Sequence, residues 1–280
     1  MNKKNILSLI IRIIILIATI YLSVILILFI FQRNFIYHPE KLKKSYKIMP
    51  FTDGMCELYL NCKDNIIIHG LYVPSKRSNP IILYFHGNAG NITHRITNVF
   101  SFYKLGYPVL IIDYHGYGKS EGTPTENNLY LDGEASLNWL FSKGYKESEI
   151  IIYAKSLGGG IGIELATKYK FKGLILESTF SSLTSVAQSI YPFIPASLLI
   201  WDKFDNIFKI NEVQTSLLIL HGKEDNFINP NESIRLFNNA NEPKILRLIE
   251  DASHNDVQYS KKYNYWKELN NWIDSLENKK

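Results

Sequence analysis

The hydrophobic pattern changes character twice along the chain. At the start it has no period: from Ile6 to Phe31 every residue is apolar except Ser8, Arg12, Thr19, Tyr21 and Ser23. A helix that is apolar all round is either deeply buried or in a membrane. Its uncharged part, Ile13 to Phe31, is close to the roughly 20 residues that cross a bilayer core. A secretory signal would be shorter and would end at a small-residue cleavage site. Here the next residues are Gln32, Arg33, Asn34 and Phe35. The pattern predicts an uncleaved single-pass anchor over 6–31 and a juxtamembrane linker over 32–55.

From residue 56 to 278 compact apolar runs alternate with segments of helical period. Glu57–Leu60 and Ile66–Tyr72 read as early strands around a turn at Asn61–Asn65. Further strands are expected at Ile81–Phe85, Val109–Asp113, Ile150–Ala154, Leu174–Glu177, Leu217–His221 and Ile245–Ile249. Between them Ile92–Lys104, Glu126–Phe141, Leu157–Tyr169, Pro230–Asn238 and Tyr259–Leu276 read as helices, with Gly106 and Asn229 as caps. Such alternation predicts one α/β domain, a mostly parallel sheet with helices on both faces. One stretch breaks the rhythm. Residues 178–212 carry Phe180, Ile190, Tyr191, Phe193, Ile194 and Trp201, punctuated by Pro192 and Pro195. This segment is too apolar to lie exposed and too long for a plain connection; it reads as a helical cap, with an ordinary packed helix pair as the alternative.

Charge narrows the function. The 31 basic and 26 acidic residues leave a net +5, too mixed for the concentrated basic face that nucleic acid requires. Basic residues at both ends of the apolar run, Lys3 and Lys4 against Arg33, Lys41, Lys43, Lys44 and Lys47, favour a cytoplasmic catalytic domain by count. Cys56 and Cys62 could pair across a hairpin or stay ordinary thiols. The histidines show no ligand spacing, so neither metal nor cofactor is implied.

The chemistry lies at strand ends. After Ile150–Ala154 come Lys155, Ser156, Leu157, Gly158, Gly159 and Gly160, then a helix. A nucleophilic serine needs a sharp strand-to-helix turn flanked by small residues. Gly158 supplies one; Ala154 stands where G-x-S-x-G has its first glycine. Acid and base should follow in the order Ser, Asp, His. Asp225 lies just beyond the strand ending at His221, with Glu224 as rival acid. His254 follows the strand ending at Ile249, with Asp251 and Asp256 as weaker acids. The oxyanion hole is expected from the backbone N–H of Leu157 and of Asn88, in the loop after Phe85. His86 is expected to organise that loop.

These residues resemble a known family. His86 to Asn91, Asp113 to Gly122, Ser156-Leu157-Gly158-Gly159, Glu177 to Phe180 and His254-Asn255-Asp256 look like the abhydrolase-domain serine hydrolases. The subgroup with an N-terminal membrane anchor, which includes protein depalmitoylases and bacterial esterases, is the most similar. His115 departs from an arginine common there. The resemblance implies the eight-stranded hydrolase sheet and hydrolysis of an ester or thioester. An acyl-lipid, an acyl-protein or a small ester could be the substrate; a peptidase or amidase, and a hydrolase-fold binding module without activity, are the alternatives.

Overall fold

The computed structural model describes residues 3–77 and 80–277. Its central sheet holds β1 (Cys56–Asn61), β2 (Ile67–Val73), β3 (Ile81–Phe85), β4 (Val109–Ile112), β5 (Ile150–Lys155), β6 (Gly173–Glu177), β7 (Leu217–Gly222) and β8 (Lys244–Ile249). Across the sheet the order is β8-β7-β6-β5-β3-β4-β2-β1. Only β1–β2 and β2–β4 pair antiparallel; the other neighbours are parallel.

The continuous apolar runs follow from two covered faces, because alternate side chains point to opposite sides of a strand. In β3, Ile81, Leu83 and Phe85 join one core while Ile82 and Tyr84 join the other. The first core packs against α3 (Glu126–Ser142) and α4 (Gly158–Lys168) through residues such as Leu137, Leu140, Ile161 and Leu165. The second is closed by α2 (Ile96–Lys104) and by the helix at Tyr265–Ser275, through Val99, Phe102, Leu269 and Ile273.

The helix expected over Ile92–Lys104 begins as a 3-10 turn at Ile92–Arg95, capped by Asn91. Instead of one helix from Tyr259 to Leu276, a 3-10 turn ends at Tyr259 and the helix starts at Tyr265. The intervening loop is pinned by the Asp251 carboxylate, which accepts the Ser260 hydroxyl and the N–H groups of Lys261 and Lys262. Helical periodicity cannot register that anchor. Cys56 and Cys62 are both free thiols, flanking β1 at opposite ends.

The N-terminal helix, α1, runs from Lys3 to Ile36 and is long and apolar enough to cross a membrane. The chain after it does not run free. His38–Pro39 pairs in parallel with Ala89–Gly90, Leu42 N–H donates to Gly118 O, and Gly118 N–H donates to Glu40 O. Residues 183–190, 196–199 and 206–209, between β6 and β7, form short helices, and the first two line a cavity together with α1.

Candidate active site

β3 and β5 are neighbours, with Phe85 paired to Ala154. On either side of β3 the strand order departs from sequence order, and in open α/β sheets ligands bind at the carboxyl ends of strands near such a point. The chain leaves β5 through Ser156, whose φ of 51° is left-handed. Backbone of this kind is uncommon and costly for a residue with a side chain. It persists because the turn is fixed from both sides: Ser156 N–H donates to Glu177 O at 2.8 Å, and Ser156 O accepts the Thr179 hydroxyl at 2.8 Å. Gly158 is required by close approach, since a Cβ there would lie 2.3 Å from Phe85 O.

Asp225 and His254 reach the same place from β7 and β8. Their loops are joined: Lys223 N–H donates to Ile249 O and Glu224 N–H to Ala252 O. His254 Nδ1 lies 2.7 Å from Asp225 Oδ2, and His254 Nε2 lies 3.2 Å from Ser156 Oγ. A carboxylate partner assigns the proton to Nδ1, leaving the Nε2 lone pair for the serine hydroxyl. Phe227 packs edge-on against the imidazole at 5.2 Å between ring centres. The rival acids are elsewhere. Glu224 is exposed, Asp251 holds the 260–262 loop, and Asp256 accepts Ser253 N–H.

Burial opposes ionisation of Asp225, but hydrogen bonds from His221 and His254 and from the Ile228 N–H outweigh it. They hold its carboxyl well below the usual carboxylate range. His221 has no role in the sequence reading beyond ending a strand. In the structure its buried Nε2 points between Asp225 Oδ2 at 3.1 Å and Ile228 O at 2.9 Å, while Nδ1 meets Ser233 Oγ at 2.6 Å. Its position four residues before the acid, at the strand end, was the available signal.

Leu157 and Asn88 flank the serine, and among the described residues neither N–H has a hydrogen-bond partner. Asn88 is fixed through its side chain, whose Oδ1 accepts from His38 N–H and the Tyr117 hydroxyl. His86 is fully buried, stacks on Tyr114 at 4.4 Å and lies 2.7 Å from Gly87 O through Nδ1. Its contacts are with the loop and the tyrosines beneath it.

A cluster that residue spacing could not reveal lies beyond β1, where Cys62, His115 and Asp132 have their polar atoms within 4.8 Å of one another. Each is already engaged: His115 Nε2 contacts Asp64 at 3.1 Å, and Asp132 accepts from His115 N–H at 2.8 Å and from the Cys62 thiol. Burial, with Asp132 beside it, pushes the Cys62 thiol well above its ordinary range. The group acts as a packed hydrogen-bonded unit.

A cavity of about 590 Å³ adjoins Ser156, Leu157 and Asn88. Among the described residues His38 and Tyr191 are the titratable side chains on its walls, and most of the others are aliphatic or aromatic.

Sheet order, a left-handed serine between β5 and α4, and an acid and an imidazole at the next strand ends define the α/β-hydrolase class. Comparison with known proteins agrees. Residues 76–204 match the family described as serine aminopeptidase, S33. Protein bem46 of Schizosaccharomyces pombe is 30% identical over 248 residues, 82% of this chain and 82% of its own. The α/β-hydrolase domain-containing protein WAV2 of Arabidopsis thaliana is 30% identical over 264 residues, 85% of each chain. An esterase of Pyrococcus furiosus superposes with a TM-score of 0.71, covering 86% of this chain and 98% of its own at 17% identity, a likeness of fold. The chain belongs to the α/β-hydrolase family.

Proposed function

We propose that this protein is a membrane-anchored serine hydrolase that cleaves a carboxylic ester or thioester through an acyl-enzyme on Ser156. The observation that carries the reading is the continuous line from Ser156 Oγ through His254 to Asp225, at 3.2 and 2.7 Å. Ser156 Oγ attacks the acyl carbonyl carbon as His254 Nε2 takes its proton, and the ionised Asp225 stabilises the imidazolium. The tetrahedral oxyanion receives the N–H groups of Leu157 and Asn88, a donor pair whose members are each worth about 100- to 1000-fold in rate. Collapse breaks the bond to the alkoxide or thiolate, which leaves with the proton from His254. Water, deprotonated by the same imidazole, then releases the acid.

An ester is favoured over a peptide with a free amino end. A buried ammonium needs a paired acid, and among the described residues no carboxylate lines the Ser156 cavity. The reading of α1 as a retained anchor is supported by its contacts with the rest of the chain: Gln32 Nε2 donates to Leu199 O, Gln32 Oε1 accepts Trp201 N–H, and Arg33 pairs with Asp202 at 3.0 Å. A cleaved signal would strip these partners from the folded protein. The basic residues after α1 favour a catalytic domain on the cytoplasmic side.

A fluorophosphonate probe tests the nucleophile. The expected result is labelling at Ser156, lost in Ser156→Ala and after phenylmethylsulfonyl fluoride. A folded, unlabelled protein that also leaves p-nitrophenyl esters intact would support a binding module instead.

A further inference from the structure

The cavity beside Ser156 is not enclosed by the hydrolase domain alone. Leu28, Phe29, Gln32, Phe35 and Ile36 of α1 form one side of it, and the segment Leu183–Ile194 forms another. On α1 the partly or fully buried positions are Ile25, Leu28, Phe29, Gln32 and Ile36. That spacing of three, one, three and four is one face of a helix. The rest of the helix surface at this level is bare, with Leu26, Ile27 and Ile30 each more than half exposed.

The cap reaches far along this helix. Tyr21 OH donates to Phe193 O at 2.7 Å, and Tyr21 lies eleven residues, about 16 Å, before Gln32 on the helix axis. Tyr21 is near the middle of the uncharged stretch Ile13–Phe31, so a bilayer centred on that stretch also contains Phe193. Phe193 and Leu198 are 86% and 83% exposed, uncovered by any of the described residues. Backbone groups in hydrocarbon must find protein partners. Tyr21 and Gln32 supply them to Phe193, Leu199 and Trp201 of the cap. Where the apolar stretch ends, Arg33 lies over the Trp201 ring at 5.3 Å and pairs with Asp202. Tryptophan and arginine collect at such a membrane–water boundary. Ile190 and Tyr191 line the cavity and are nearly half exposed, so its wall there is also outer surface at membrane depth.

We infer that α1 is a wall of the acyl-binding site, and that the site takes a long fatty-acyl chain that enters sideways from the lipid leaflet between α1 and the cap. This inference rests on the reading of Ser156 as the nucleophile. The substrate class is then a fatty-acyl ester or thioester resident in the bilayer. Its chain passes from hydrocarbon into the groove without crossing water, and only the carbonyl reaches the polar rim at Ser156, Leu157 and Asn88. The exposed cap face takes acyl chains of the same leaflet as its covering.

The test uses the full chain in phosphatidylcholine nanodiscs. Hydrolysis of p-nitrophenyl esters from butyrate to palmitate is compared in the wild type, in Leu28→Trp on the cavity side and in Leu26→Trp on the bare side. Leu28→Trp is expected to lower the palmitate-to-butyrate ratio of kcat/KM by about tenfold or more, the scale on which a filled apolar pocket discriminates chain length. Leu26→Trp is expected to leave the ratio at the wild-type value. An unchanged ratio in Leu28→Trp, or an equal fall in both variants, overturns the inference. Native mass spectrometry of Ser156→Ala with added palmitate reads the groove without turnover. One palmitate retained, lost on adding Leu28→Trp and kept with Leu26→Trp, supports it; no retention overturns it. If the wild type cleaves no ester while palmitate is retained in that pattern, the hydrolase reading fails and the acyl groove stands.

Discussion

The methyl group of Ala154 faces the α-carbon of Gly162 at close range: a Cβ built on Gly162 would lie 2.9 Å from Ala154 Cβ. Ala154 occupies the first small position of the serine turn, and Gly162 sits one helical turn beyond Gly158 in α4. Space given up on the strand is thus returned on the helix. Gly162→Ala should destabilise the protein by about 1–3 kcal/mol through overpacking. Adding Ala154→Gly should recover part of that loss, because the two sites share one contact. Denaturant unfolding of the four-member cycle gives the coupling; strictly additive losses would show that the pair is independent.

Ser156→Ala should reduce ester hydrolysis by about 10⁴-fold or more, in line with the loss of a nucleophile that works as part of a unit. Its melting temperature should stay within a few degrees of the wild type, since the turn is fixed by backbone bonds to Glu177 and Thr179 rather than by Oγ. Substantial residual turnover would move the nucleophile elsewhere.

Asp225→Asn should lower kcat by about 10⁴-fold through loss of the imidazole orientation. Its effect on stability depends on pH with a definite sign. The native carboxyl is held below its ordinary value, so its contribution is fully present above the unfolded value of about 3.9 and fades as pH falls through the native value. The gap in melting temperature between wild type and variant should therefore be widest above about pH 5 and should close toward more acid conditions. A gap that widens on acidification would contradict the assigned hydrogen bonds.

Glu177→Gln tests the support beneath the serine. The Glu177 carboxylate, fully buried, pairs with Lys155 Nζ at 2.8 Å and accepts the hydroxyls of Tyr153 and Tyr265. Burial disfavours its charge, yet Lys155 and the two phenols hold its pKa below the ordinary value. The variant leaves a buried ammonium without its counter-charge and should cost about 3–5 kcal/mol. Urea unfolding measures it; a loss under about 1 kcal/mol would mean that water reaches Lys155.

Much of this arrangement was legible in the residues. Strand runs such as Ile81–Phe85 and Ile150–Ala154 read correctly because burial on both faces demands unbroken apolarity. Ser156, Asp225 and His254 meet in the structure because each follows a strand, and parallel strands deliver their ends to one edge. The preference for Asp225 over Glu224 rests in the sequence on loop position alone; adjacent residues in a loop differ in direction, and the bonds to His221, His254, Phe227 and Ile228 show which carboxylate turns inward.

The sequence by itself determined the elements that depend on local pattern: a long apolar helix at the start, alternating strands and helices, and a small-residue turn around Ser156. Only the tertiary structure decided how distant segments share space. It put one face of α1 against the segment 183–200, stitched His38–Pro39 to the loop that carries Asn88, and gave His221 a carboxylate to hold. The reason is physical. Period and composition record whether a side chain meets water or apolar surroundings, and a helix apolar on all sides has the same pattern whether lipid or protein lies against it.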